Sequence, residues 1–247
     1  VVTAVALVGA WQVRNAWVAG YTGFSAIQDI NLYFYNGAAV LASEERLPYY
    51  RVQDKMGYRD RQLYIEQHPE QIDWSDAERY RSMGRAGITI ILHHPLEYAV
   101  IHLQGMFRAL VDPGAVDYLR LFRLYPAQGG LLGEAVDKGT LAAAARLVQE
   151  RPLAFWSMAA LGILLAAYYL LAFVGLFSRR ISWAATWLLL GVAVYFVLIS
   201  GGPASLSRFR HPVMPIVCLF AAAGMVEILA RWDRYRRQRP RWRESTS

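Results

Sequence analysis

The sequence predicts a mainly α-helical membrane protein: a multi-spanning transmembrane helix bundle with a long external region, partly helical and partly irregular, and an amphipathic surface helix. Three observations predict it. Hydrophobic residues make up 55% of the 247 residues and charged residues only 18%. The apolar residues gather in blocks close to the about 20 residues that a helix needs to cross a hydrocarbon core of roughly 30 Å. The formal charge of +7 is concentrated near one end, in Arg231, Arg234, Arg236, Arg237, Arg239, Arg241 and Arg243. A basic run directly after an apolar block is the pattern of a topogenic, headgroup-binding tail, not of a nucleic-acid surface.

Residues 1–11 read as the end of a transmembrane helix that begins upstream. The stretch opens without methionine, is too short to span, and lacks the basic flank of a signal peptide, so the chain is expected to be the C-terminal part of something longer. Trp11 and Trp17 suit the membrane interface. Residues 12–152 are expected outside the bilayer: 12–85 hold no run long enough to span, and the remainder is external if it contains no span, a span in a protein-lined interior near 87–111 being the alternative. Within them Ser75 and Glu78 form a capping-box pattern that starts a helix running towards His93-His94-Pro95. Leu96, Ala99, Val100, Leu103, Met106, Phe107 and Leu110 then recur at helical spacing, with Glu97, Gln104 and Arg108 elsewhere on the wheel. This predicts an interfacial helix near 87–111. Asp112 to Arg151 reads as an external connection with short helices, Thr140 to Gln149 among them.

Residues 153–230 carry three expected spans, 153–177, 183–200 and 213–230, followed by a basic tail, 231–247. Ser178-Arg179-Arg180 and the tail lie two crossings apart, so the positive-inside rule puts both in the cytoplasm and the loop Gly201 to His211 outside. The expected location is therefore the plasma (inner) membrane, multi-pass, with a cytoplasmic tail.

That outward loop is the most informative stretch for function. Arg208 and Arg210 stand where the topology rule disfavours positive charge, and a lipid-linked phosphate would compensate them, because guanidinium forks match phosphate oxygens. Pro212 suits the first turn of the following helix, whose free amides favour the same anion. Plain anchoring in headgroups, or pairing with external acids, is the competing account. Trp11, Arg14 and Asn15 repeat the theme of an arginine beside an aromatic and an amide. Asn31-Leu32-Tyr33-Phe34-Tyr35-Asn36 offers flat rings with polar tips that suit a sugar face, with simple packing as the alternative. His93, His94 and His102 show no established ligand spacing with an acid, so no metal centre and no cofactor are expected. Cys218, the only cysteine, leaves neither a disulfide nor a Cys-based metal site. Phosphate loops, nucleophile elbows and zinc-protease helices are absent from the sequence.

Trp11 to Asn15, the stretch NLYFYNGAAVLA from Asn31 to Ala42, His94 to Tyr98, and SRFRHPVMPIVCLFAAAG from Ser207 together resemble the C-terminal half of family 39-type GT-C glycosyltransferases. These membrane enzymes are related to protein O-mannosyltransferases and to the aminoarabinose transferase of lipid A. The resemblance implies transfer of a sugar from a polyprenyl-phosphate carrier to an acceptor on the outer membrane face. It implies carrier-phosphate contacts at Arg208, Arg210 and His211; the residue patterns themselves offer Arg14, Asn15, Asn31 and Tyr33 as candidate sugar or headgroup contacts. The family's acidic pair belongs to a first external loop that this sequence lacks. Asp29, Asp54 and Asp60 do not match it, so the catalytic base is expected on a missing N-terminal segment or companion chain. The other expected partners are the polyprenyl-phosphate-linked sugar and the lipid bilayer, with no nucleic acid. A non-catalytic lipid-phosphate-binding membrane subunit is the alternative reading.

Overall fold

The computed structural model describes residues 2–124 and 140–238. Parts of two expectations lie outside these residues: the middle of the external connection, 125–139, and the end of the arginine tail, 239–247. Among the described residues the protein is mainly helical and has no strand. It divides into two compact units, Val1–Gly105 with Gly202–Ala204, and Met106–Gly201 with Ser205–Ser247.

The first unit begins with α1, Val2–Ala19. The helix runs beyond the 1–11 stretch read as the end of a span, because nothing in the sequence breaks it before Gly20, which takes a positive φ of 65°. The short α2, Ile27–Asn31, continues without a break into a π-helical segment, Leu32–Gly37, and then α3, Ala38–Glu45. Arg46 ends that rod in the left-handed region, and Pro48 follows it. Next come α4, Tyr49–Lys55, and α5, Arg61–Gln67, the latter capped by Asp60, whose carboxylate accepts from Gln62 N and Leu63 N at 3.0 and 3.1 Å.

The capping box forms as the spacing predicts. Ser75 N donates to Glu78 at 2.8 Å and Glu78 N to Ser75 Oγ at 3.3 Å, opening α6, Asp76–His93. The interfacial helix expected near 87–111 is in fact two elements. His94 leaves helical geometry at φ −128°, and Pro95 starts α7, Pro95–Val111, where a missing N–H is harmless.

The core of this unit is aromatic. Tyr33, Phe34, Val52, Met56, Tyr64 and Met83 are buried together, and the buried Gln53 amide donates to Phe34 O at 2.8 Å. Two glycines one turn apart let α6 approach the α2–π rod. A Cβ on Gly87 would lie 2.5 Å from Leu32 main-chain atoms, and one on Gly84 would lie 2.2 Å from Asp29 Oδ1.

In the second unit α7 finishes and α8, Ala115–Leu121, α9, Thr140–Glu150, α10, Pro152–Leu176, α11, Trp183–Ile199, and α12, Met214–Gln238, follow. Ala115, Leu119, Leu147 and Ala154 form a small buried cluster. Ser182 caps α11 by accepting from Ala185 N at 3.3 Å. α10 and α12 touch main chain to main chain: a Cβ on Gly175 would sit 1.8 Å from Phe220 O, and one on Gly224 2.0 Å from Leu171 O. Small residues at the crossing are how apolar helices meet where no hydrophobic force drives them together.

Two helices are long and apolar enough to cross a membrane, Pro152–Leu176 and Met214–Arg237; α11, at 17 residues, is shorter. A core helix of a water-soluble protein would be mostly buried, yet only 17% of each apolar stretch is. Leu153, Trp156, Ile163, Leu170 and Phe173 stand exposed along α10. Apolar surface on this scale supports membrane association. The arginine-rich segment is not a separate tail at its start. α12 continues to Gln238, and Glu227 accepts from Arg231 at 3.1 Å with Arg234 at 3.9 Å.

Candidate functional site

In the second unit, Leu206 is extended and Ser207–Arg210 closes into a 3-10 turn just before α12. Ser205 Oγ fixes the approach by donating to Ser200 O at 2.6 Å. Arg210 turns inward and is 8% exposed. Its Nη1 donates to the carbonyls of Ala109, Leu110 and Asp112 at 2.9, 2.9 and 2.8 Å, and Tyr169 Oη adds a bond to Leu110 O at 2.8 Å. These carbonyls close α7 and have no partner within the helix, and a cation there also suits the helix dipole.

The expectation that Arg210 offers its fork to a phosphate is thereby corrected. Nη1 is committed to main-chain oxygens, and the buried Nε has no hydrogen-bond partner. Arg208 and His211 are exposed, and the Arg208 guanidinium carbon lies 5.3 Å from the Phe209 ring centroid. Two of the three residues singled out in this loop therefore face out, and the third holds the turn in place.

In the first unit a cleft of about 280 Å³ is lined by Trp11, Asn15, Tyr21, Phe24, Asp76 and Tyr80, with Ser25 and small residues between them. Asn15 is buried, and its Nδ2 donates to Gly23 O and Phe24 O at 3.3 and 3.1 Å while Oδ1 accepts from Arg14 at 3.1 Å. That corrects its expected role as a sugar contact, since the amide is consumed in tying the 20–26 turn to α1. Trp11 Nε1 donates to Phe24 O at 3.1 Å, and Arg14 lies over the Trp11 ring with its guanidinium carbon 5.2 Å from the centroid. Tyr33 is likewise corrected, because it is a core residue with its hydroxyl 3.3 Å from His68 Nε2. Asn31 is exposed, and its carbonyl accepts from Asn36 at 3.3 Å.

Sequence reasoning missed Tyr21, Phe24 and Tyr80 as cleft residues. Tyr21 Oη donates to Asp29 Oδ2 at 2.8 Å. Burial first, then Asp29, pushes the Tyr21 hydroxyl up to about 12, so it remains a neutral donor. The run Tyr21 to Ser25, with Gly23 in the turn, was the available signal.

The three singled-out histidines do not converge. His93 Nδ1 is bonded to Thr89 O at 2.8 Å, and the His102 ring packs 5.7 Å from Tyr98. His94, however, has acidic neighbours: Glu97, three residues on, and Glu44, from a stretch distant in sequence. Its Nδ1 lies 2.9 Å from Glu44, and the ligand atoms of Glu44, His94 and Glu97 are all within 4.8 Å of one another.

No protein family, no curated protein and no solved structure matches this chain.

Proposed function

We propose that this chain is the carrier-binding part of an integral-membrane glycosyltransferase of the family 39 GT-C type, which moves a sugar from polyprenyl phosphate to an acceptor on the outer membrane face. In this reading α10, α11 and α12 are three spans of a multi-spanning bundle in the plasma membrane. Ser178-Arg179-Arg180 and the arginines after Glu227 are cytoplasmic, as the positive-inside rule requires.

One observation carries the reading: Arg208 and His211 stand exposed on a turn clamped by the buried Arg210, directly before an apolar helix. Arg208 is the phosphate-facing cation, His211 its companion, and Arg210 a positioning residue. Arg208 would stabilise the leaving phosphate as its charge develops. The aromatic cleft of Trp11, Tyr21, Phe24 and Tyr80 has the flat apolar faces and polar tips that a sugar ring requires.

The test is binding of a polyprenyl phosphate by the full chain in nanodiscs. Arg208→Ala should weaken it by about tenfold, the value of one charge-assisted bond. Arg208→Lys should recover part of the loss, since it keeps the charge without the fork. Unchanged affinity in the alanine variant would leave headgroup anchoring as the role of Arg208 and end the carrier-binding reading.

A further inference from the structure

We propose that Glu44, His94 and Glu97 form a binding site for a divalent transition-metal ion of the Zn2+ class, independent of the glycosyltransferase reading. The three side chains come from three local structures that the fold brings together. Glu44 stands in the last turn of α3, His94 occupies the non-helical residue between α6 and α7, and Glu97 lies in the first turn of α7. Each offers one ligand atom, and the three atoms lie within 4.8 Å of one another.

The charges around them favour a cation. The adjacent glutamates divide their work: Glu45 takes Lys55 at 2.7 Å, while Glu44 turns to His94 Nδ1 at 2.9 Å. Among the described residues no lysine or arginine is paired with Glu44 or Glu97. Glu44 thus approaches the imidazole while Glu97 stands beside it without an ion pair among the described residues, and a divalent ion between the two carboxylates turns their mutual repulsion into attraction. The close approach of Nδ1 to Glu44, at 2.9 Å, marks the place the metal would take. A metal there uses the Nδ1 lone pair, and any proton on that nitrogen moves to Nε2 or to solvent.

The donor set selects the metal. One imidazole and two carboxylates, without thiolate, suit Zn2+ and its neighbours, whereas Mg2+ and Ca2+ prefer oxygen alone. Three protein ligands leave a fourth position of a tetrahedral ion open. The side chains of His94 and Glu44 are 34% and 39% exposed, so that position faces water.

The probe is Zn2+ itself, with Co2+ as a coloured substitute, added to chelator-stripped full chain in nanodiscs. A Cys218→Ser background removes the only thiol. The expected result is one equivalent of tightly held Zn2+, a Co2+ absorption band, and a rise in Tm on loading, because only the folded state assembles the site. Glu44→Gln, His94→Ala and Glu97→Gln should each weaken Zn2+ by at least about tenfold, and His93→Ala should leave it unchanged. Glu44→Gln removes only a partly exposed charge, so it remains the decisive variant if His94→Ala fails to fold. The proposal is overturned if the parent chain retains no Zn2+, if Glu44→Gln binds it equally well, or if His93→Ala abolishes binding.

Discussion

In the first unit, Tyr33, Phe34, Val52 and Tyr64 turn away from water around a buried Gln53, whereas in the second α10 and α12 leave most of their apolar side chains exposed and meet at Gly175 and Gly224. One region is stabilised by removing aromatic surface from water, at about 25 cal/mol per Å². The other gains little from burial within the chain, and its close main-chain contact at Gly175 and Gly224 is of the kind that joins helices where no hydrophobic force drives them together. The same helical secondary structure is therefore held by two kinds of contact, and a perturbation should reveal which one a residue depends on.

The largest effect is expected where the comparison is sharpest. Replacing Gly175 or Gly224 with leucine drives a side chain into the opposing main chain, a strain of about 1–3 kcal/mol or more. It should abolish recovery of monodisperse protein from detergent. Gly162→Leu and Gly191→Leu, where an added Cβ meets nothing within 4 Å, should behave like the parent. Equal damage at all four positions, read by gel filtration, would show that the glycines matter for helix flexibility and not for contact.

A middle effect is expected at Arg210. Arg210→Met keeps the bulk but leaves the carbonyls of Ala109, Leu110 and Asp112 without their shared donor. Loss of charge-assisted bonds of this kind costs about 1.5–3 kcal/mol, read as a lower thermal midpoint in nanodiscs. Arg208→Met, at an exposed position, should not move the midpoint. A midpoint that falls equally in both would remove the distinction between the positioning and the exposed arginine.

The smallest effect belongs to the capping box. Ser75→Ala should cost about 1 kcal/mol, seen in urea as a shift confined to the first unit. Its pH dependence has a definite sign. The Ser75 side chain and then its main chain hold the Glu78 carboxyl below the ordinary carboxylate range. The cap is therefore fully present above the unfolded value of about 4.3 and is lost as pH falls through the lowered folded value. Acid should weaken the parent and leave Ser75→Ala less affected. A parallel acid response in both would assign the effect to other carboxylates.

The helices were legible where the information is local. Apolar blocks mark α10, α11 and the first part of α12, Ser75 and Glu78 mark the start of α6, and Pro95 marks its end. What escaped depends on neighbours distant in sequence. Asn15 and Tyr33 read as ligand contacts until the turn carbonyls and the aromatic core claimed them, and Arg210 read as a phosphate contact until the end of α7 did. Glu44 lies far along the chain from His94, so no spacing rule could pair them. The π-helical segment had no local sequence signal; its start packs against Gly87, where a Cβ would lie 2.5 Å from Leu32 main-chain atoms.

That segment also fixes how the gene can change in length. A wider turn carries one residue more than an α-helix of the same span, and each residue of helix advances the side chains by about 100°. Between Ile27 and Glu45 the chain runs as one unbroken rod with that extra residue inside it. A one-codon deletion within Leu32–Gly37 is thus the rare deletion in a helix that can close into regular geometry while the aromatic face keeps its direction, whereas a one-codon deletion in α3 would turn Val40 away from the position it now fills. Length variation among natural versions of this chain should collect in the first place and be missing from the second.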